Sequence, residues 1–436
     1  MSGDDRANRW LLWIIAAAAV LIPLTMSASG EDTFRYPKEL ALRLEVILLV
    51  VTLVWFWAFE RLRLPLDVRQ KWPALTAMIC CWTILTTLFS TNRLVSLPPT
   101  IRVLEYALVF VVTVLVLRGR PLWIAGVIVP SAIVNAAVYI LQEFEIWEPF
   151  DTSHALEKHL ERTALIGNPN DVGSYFVVPA LIAATLALVH RRGRVWWAGA
   201  AIVLIAATFI THTIAAIGAL IVALVVLAGL WLRSWPKALG AFLVLVLVAG
   251  AVSATYPPLR QRLALMREAV AHRDYEALSA ARMLPFFAAA EMTRDQPLLG
   301  VGPGCFSYNF FEYKLRVQQR HRWLFGPGIT GYNFGEVHND HLQVASETGL
   351  PGYALFMAAL VLIAAGSLPR RAAIERDNDD NDDNDDSPRG ELVRLLSLPL
   401  ALSLFVLALA QFPLELVAPT HAYLWGAGIL VSWRRW

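Results

Sequence analysis

Charge is scarce in this chain. Asp, Glu, Lys and Arg make up 17% of its 436 residues, against about a quarter in soluble domains. With 57% hydrophobic residues and a mean hydropathy of +0.53, that scarcity excludes an ordinary soluble fold and reads as a polytopic membrane protein. Cysteine is nearly absent. Cys80 and Cys81 adjoin inside an apolar run and Cys305 stands alone, which excludes a disulfide framework and the familiar metal spacings. No Gly-Lys-Ser/Thr loop is present to cradle phosphates, so ATP-driven work is not expected. No outward acidic pair stands out as a metal-binding motif. No span shows a chain of buried carboxylates, which argues against proton-coupled transport. The first apolar run lacks a convincing small-residue cleavage site and reads as a retained anchor.

What is abundant is apolar sequence at membrane-spanning length. A spanning helix needs about 20 mainly apolar residues. Candidate spans run near 10–28, 40–59, 73–90, 102–117, 121–141, 171–189, 195–211, 214–232, 238–254, 340–367, 392–411 and 418–433. The expected fold is therefore all-α, with about twelve transmembrane helices. Sixteen Trp suit the membrane interfaces, where the ring is apolar and its N–H is wet.

The connectors sort by charge. Arg61, Arg63, Arg69 and Lys71, then Arg118 and Arg120, then Arg191, Arg192 and Arg194 fall in alternate connectors. Arg233 and Lys237, Arg370 and Arg371, and Arg434 and Arg435 continue the series. Basic short loops stay cytoplasmic, so both termini are expected inside. Connectors 29–39, 91–101, 142–170, 211–213, 255–339 and 412–417 are then expected outside, in a periplasm if the cell is Gram-negative. Three segments follow: a transmembrane bundle over 1–254, an outward loop domain over 255–339, and C-terminal transmembrane helices over 340–436. The loop is basic, which long loops tolerate whichever side they reach.

Within that loop Leu259, Leu263, Met266 and Val270 recur at helical spacing among charged residues, the pattern of an amphipathic helix at a membrane surface. Pro285 is expected to bend or end a helix. Gly300, Gly302, Pro303 and Gly304 mark a tight turn. The run Asp377 to Asp386, inside a cytoplasmic loop at 372–391, has no apolar residue to nucleate a core and is expected to be disordered. It lacks the Gly and closing Glu of a calcium loop.

Candidate chemistry starts at His338. Asn339 is a good N-cap for a helix from residue 340, Gly349 a good C-cap, and Pro351 a good first residue for the next helix. His338 then lies just ahead of a helix N-terminus, whose partial positive charge disfavours imidazolium. A neutral imidazole is what a general base requires. The plainer alternative is a histidine that only hydrogen-bonds at the interface. His338 and His341, with Glu336 and Asp340 nearby, do not have the spacing of known zinc motifs. Arg282, set among apolar residues, fits a clamp on a lipid-linked phosphate or an arginine snorkelling to the interface. Gly167-Asn168-Pro169-Asn170 opens a span, and its amides at Asn168 and Asn170 could meet sugar or phosphate. Arg102 and Arg162 add positive charge on the same face. The basic segment Lys314 to Arg322, followed by Trp323 and Phe325, reads either as a glycolipid contact or as a solvated surface.

Taken in order, these pieces resemble the O-antigen ligase and polymerase superfamily. They are the many spans, the Gly-Asn-Pro-Asn turn, the late outward loop with Arg282, Asp295-Gln296-Pro297-Leu298-Leu299-Gly300-Val301-Gly302-Pro303-Gly304-Cys305-Phe306, then His338-Asn339 and Glu347-Thr348-Gly349-Leu350-Pro351-Gly352. The resemblance is good over roughly residues 160 to 360 and rests on topology elsewhere. It implies a GT-C-like glycosyltransferase architecture with a large helical periplasmic loop in a bacterial inner membrane. It implies His338 and Arg282 as catalytic residues; Asn339, Asn168, Asn170, Arg102, Arg162 and His212 are the substrate-binding candidates. Family members often carry a Ser/Thr-Arg pair where this chain reads Thr211-His212-Thr213-Ile214, so His212 or an arginine from another loop must stand in, or the contact is dispensable.

The activity so implied is transfer of a glycan from undecaprenyl pyrophosphate to a sugar hydroxyl of lipid A-core, inverting and with no metal or other cofactor. Membrane lipids are the remaining partners, and nucleic acid is not among them. An O-antigen polymerase, a protein O-oligosaccharyltransferase and a non-enzymatic lipid-linked glycan transporter are the rival expectations.

Overall fold

The computed structural model describes residues 3–27, 32–60, 70–117, 121–147, 162–237, 239–240, 242–243, 257–272, 279, 282–325, 333–368 and 388–433. All regular structure among them is helical. Lipid offers no partner to a backbone N–H or C=O, so apolar runs of this length close their hydrogen bonds internally as helices. In order they are α1 (Gly3–Leu24), α2 (Arg35–Glu60), α3 (Lys71–Leu88), α4 (Arg93–Leu117), α5 (Pro121–Glu143), α6 (Pro169–Val189), α7 (Arg194–Ile210) and α8 (Ile214–Leu232). The loop region holds α9 (Pro257–His272), α10 (Met283–Asp295) and α11 (Phe306–Arg320). The chain ends with α12 (Asp340–Ala364), α13 (Pro388–Ala408) and α14 (Val417–Trp433).

Eight of the described helices are long and apolar enough to cross a membrane: α1, α2, α4, α5, α6, α8, α12 and α13. The protein is a multi-pass membrane protein. Helices α3, α7 and α14 also fall on expected spans, but α7 and α14 have only 17 residues each and none of the three joins the eight. The expected span 238–254 lies almost wholly outside the described residues, as do the acidic run 377–386 and the basic groups at 61–69, 118–120, 370–371 and 434–435.

Burial separates the bundle's centre from its rim. In α6, 78% of the most apolar window is buried, whereas α2 and α12 bury 22% of theirs and leave apolar faces to lipid. One core joins Phe176 and Leu181 of α6, Val109 of α4, Leu204 of α7, Leu396 of α13 and Trp425 of α14. A second core is built by the loop: Leu284 and Met292 of α10 pack with Phe306, Phe310 and Val317 of α11 and with Val337. Val337 precedes His338, so this small core fixes the backbone from which the imidazole projects.

Two local expectations change. Pro285 neither bends nor ends a helix. It sits in the first turn of α10, where its missing N–H has no intrahelical acceptor to lose. The spans are also not free of buried carboxylates: Glu45, Asp171, Asp340 and Glu347 are all buried. Tertiary partners make this tolerable. Glu45 meets His421 at 3.0 Å, Asp340 accepts the Leu414 amide at 3.0 Å, and Glu347 accepts the Gly304 amide at 2.7 Å.

The connectors at one end of the bundle gather together. Lys38 Nζ donates to the Leu165 carbonyl, Thr213 Oγ1 to that of Pro169, Thr91 N to that of Val301 and Asn339 Nδ2 to that of Leu409. His338 lies on this face.

Candidate functional site

The two sequence motifs that frame the site are halves of one backbone contact. Val301 N donates to Ser346 O at 2.9 Å, Gly302 N to Glu347 O at 2.9 Å and Leu350 N to Pro297 O at 2.8 Å. The approach is so close that only glycine fits. A Cβ on Gly300 would lie 2.4 Å from the Glu347 carbonyl carbon, and one on Gly349 2.1 Å from Leu298 O. Gly349 also has φ of +72°, which interrupts α12 and separates a short first part, beginning at Asp340, from the run that Pro351 opens. Asn339 caps the first part by accepting the Leu342 amide at 3.0 Å.

His338 stands immediately before that cap in a left-handed conformation, φ +59°. A non-glycine residue held there stores strain and is most often found at functional positions. Its ring meets Phe412 edge-on at 4.8 Å and Phe334 at 6.1 Å. Nδ1 is enclosed and has no hydrogen-bond partner among the described residues. Burial, and then the positive charge of Arg282, hold the imidazole at a pKa of about 4, against an upward pull from Glu336; Arg35 adds a further push downward. The imidazole is therefore neutral at neutral pH. Helix-terminus charge pointed the same way from sequence, but the largest causes here are burial and Arg282.

Arg282 lies at the N-terminus of α10. Its Nη1 donates to Ala410 O at 2.6 Å, beside the Leu409 carbonyl that takes Asn339. No carboxylate pairs with it among the described residues, and burial pushes its guanidinium below the ordinary value. Arg282 and His338 thus come together electrostatically, although 56 positions separate them in the sequence.

The other candidates are spread out. Asn168 spends its side-chain oxygen capping α6, accepting the amides of Asn170 at 2.9 Å and Asp171 at 3.2 Å. Asn170 lies in that first turn, and its carbonyl accepts Ser174 Oγ at 2.7 Å. Arg102 is paired with Glu415 and lies 3.5 Å from Glu39. Arg162 and His212 meet instead at Glu143, at 2.8 Å and 3.9 Å. His341 has both ring nitrogens engaged, Nε2 with Phe405 O at 2.9 Å and Nδ1 with Tyr353 Oη at 3.3 Å. In the basic segment, Lys314 is buried and donates to Asn333 at 3.0 Å, whereas the more exposed Arg316 pairs with Asp295 at 2.9 Å and with Glu312, so only part of the segment is a solvated surface.

Sequence reasoning missed Arg35. From the first turn of α2 it pairs with Glu336 at 2.9 Å, two residues before His338, and lies over the Phe412 ring at 5.6 Å. It also lines a cleft with Lys38, Glu39, Asp171 and Glu415. Its signal was positional: it falls in the connector 29–39, assigned to the same face as His338. Phe412 carried the same positional signal, as the first residue of the connector 412–417.

Residues 199–357 match the family model described as O-antigen ligase, Wzy_C. Over that stretch the chain is similar to an O-antigen ligase domain. The matched segment runs from α7 into α12 and contains both Arg282 and His338. Arg35, Asp171, Phe412 and Glu415 lie outside it, so the rest of the bundle completes the surroundings of the matched segment's histidine. No curated protein matches the chain. The family gives the coarse function: a ligase- or polymerase-type, glycosyltransferase-like role in processing O-antigen, with a lipid-linked glycan and an acceptor as substrates in general.

Proposed function

We propose that the protein is an O-antigen ligase of the bacterial inner membrane, with its site open to the periplasm. It transfers a glycan from undecaprenyl pyrophosphate to a sugar hydroxyl of lipid A-core, with inversion and without a metal. The observation that carries the reading is the pairing, inside the matched domain, of a neutral enclosed imidazole with an arginine that has no carboxylate partner among the described residues.

The acceptor oxygen attacks the anomeric carbon while the bond from that carbon to the pyrophosphate oxygen breaks. The hydroxyl proton passes to His338, and the bonding pair leaves on the pyrophosphate. An imidazole held near 4 is a weak base. Arrival of the pyrophosphate changes this, because its negative charge offsets Arg282 and strengthens the base only when the donor is in place. Arg282 then stabilises charge growing on the leaving group, an effect worth about 3–4 kcal/mol per donor group. Asn339 acts through His338, by fixing the start of α12. Roles for Arg102, Arg162 and His212 would require the substrate to displace Glu415 or Glu143, so these three serve the site less directly than Arg35. The basic loop over 255–339 suits a phosphorylated core glycolipid and favours a ligase over a polymerase or a protein O-oligosaccharyltransferase.

The test is reconstitution of purified protein with lipid-linked glycan and either lipid A-core or a pilin-like acceptor, with and without EDTA. Transfer to lipid A-core that persists in EDTA is the expected result. A strict need for added divalent metal ends the metal-free mechanism. Lipid relocation with no new bond turns the reading to a transporter.

A further inference from the structure

A small cleft of ≈ 20 Å³ opens on the His338 face between the start of α2, the start of α6 and the chain leading into α14. Its charged lining is Arg35, Lys38, Glu39, Asp171 and Glu415. Most of these side chains are already satisfied. Lys38 Nζ is held by the carbonyls of Leu165 at 2.7 Å, Thr25 at 2.8 Å and Phe34 at 3.3 Å. Arg35 pairs with Glu336, and Arg102 holds both Glu415 and Glu39.

Asp171 differs. It is 4% exposed, and although Asn168 hydrogen-bonds to its carboxyl group, Oδ1 is buried with no partner among the described residues. Buried polar atoms are almost always paired, so an orphan on a cleft wall marks a place for a hydrogen-bond donor. The mixed lining selects the donor. The three carboxylates repel a bare phosphate, and Arg35 and Lys38 repel a metal cation. A neutral hydroxyl meets neither objection and donates well to a carboxylate. The cleft has room for little more than a water-sized group, so a glycan presents one hydroxyl to it rather than a whole ring. Arg35 joins the cleft to the imidazole, because it lines the one and, through Glu336 and Phe412, abuts the other.

We infer that Asp171 is a specificity-determining residue whose free carboxylate oxygen accepts a hydrogen bond from a sugar hydroxyl of a glycolipid substrate seated over this cleft. The inference deepens the ligase reading and rests on it for the identity of the glycolipid. It lies outside the matched domain, which ends at residue 357 and starts at 199.

The experiment compares wild type with Asp171→Asn, each in nanodiscs, by equilibrium binding without turnover. The probes are undecaprenyl-pyrophosphate-linked glycan, bare undecaprenyl pyrophosphate and lipid A-core. The amide of Asp171→Asn still accepts but loses the charge that about doubles the strength of the bond, which corresponds to a loss of roughly threefold to tenfold in affinity. The expected result is that loss for a glycan-bearing probe, with bare undecaprenyl pyrophosphate unaffected. Loss for the donor assigns the subsite to the transferred glycan, and loss for lipid A-core alone assigns it to the acceptor. Equal affinities for all three probes, or equal weakening of all three, overturn the inference.

Turnover separates this result from the broader reading. If wild type discriminates between the lipids but transfers nothing, the subsite stands and the ligase reading falls. If transfer proceeds and Asp171→Asn behaves as wild type, the reverse holds. Should the variant not fold, carbodiimide labelling of wild type, read by mass spectrometry at Asp171, replaces it. A glycan-bearing lipid is expected to protect Asp171 where the bare lipid does not, and equal protection overturns the assignment.

Discussion

Glu347 accepts the Gly304 amide at 2.7 Å, and with it the Phe306 amide at 3.3 Å. One buried carboxylate of α12 therefore fixes the glycine turn and the start of α11, and through them the loop core that carries Val337 and His338. Glu347→Ala leaves two buried amides unpaired, at a cost of about 1–3 kcal/mol for each. Thermal unfolding in detergent should show a clearly lower midpoint. Glu347→Gln, which keeps an acceptor, should fall between it and wild type.

Gly349 tests the same contact from the backbone. Gly349→Ala places a methyl group 2.1 Å from Leu298 O at a φ of +72°. Backbone strain alone costs about 1–3 kcal/mol, and the clash with a fixed carbonyl adds to it. Reduced yield of folded protein on size exclusion is expected. An alanine of wild-type stability would show that the two motifs do not touch.

His338→Ala should lower transfer by roughly a hundredfold to ten-thousandfold, the range for a lost general base, while binding of the lipid-linked donor survives. Wild-type binding with wild-type turnover would remove His338 from the chemistry.

The pH response follows from the same imidazole. Its folded value of about 4 lies below the ordinary 6.5. The neutral form is therefore favoured by folding, and the associated stability is complete above 6.5 and lost as pH falls from there through 4. Proton uptake by the donor-free protein should centre near 4. Arg282→Gln removes the largest charge holding the imidazole down and should move its titration, followed by NMR of labelled histidine, upward toward 6.5. An unchanged titration would mean that the two groups do not sense each other.

Arg282→Ala should cut turnover by roughly a hundredfold or more. Lys38→Met, by contrast, leaves three buried carbonyls without their shared donor, each worth about 1–3 kcal/mol at most. Its expected signature is a lower unfolding midpoint with rearranged contacts between α1, α2 and the chain before α6.

The turn at 300–304, the Asn339 cap and the break at Gly349 were legible because each is a local rule: a backbone conformation or an amide that few residue types satisfy. Arg282 and His338 stood out by their local settings, one among apolar residues and one ahead of a helix N-terminus, but only the family resemblance joined them, since an isolated arginine or histidine carries no spacing signal. Asp171 was not singled out, although it directly follows the turn Gly167-Asn168-Pro169-Asn170. Its orphaned oxygen depends on what α2 and the chain before α14 place opposite it. The same applies to Arg102, Arg162 and His212, which looked like available positive charge until Glu415 and Glu143 were found against them.

Composition and the lengths of the apolar runs determined that this protein spans a membrane as helices, because a backbone without water has few other ways to satisfy itself. Tertiary structure alone decided which charges are spent on one another and which are left to meet a ligand. Pairing is a matter of distance, and groups such as Arg35 and Glu336, 301 positions apart in the chain, acquire one only when the helices pack.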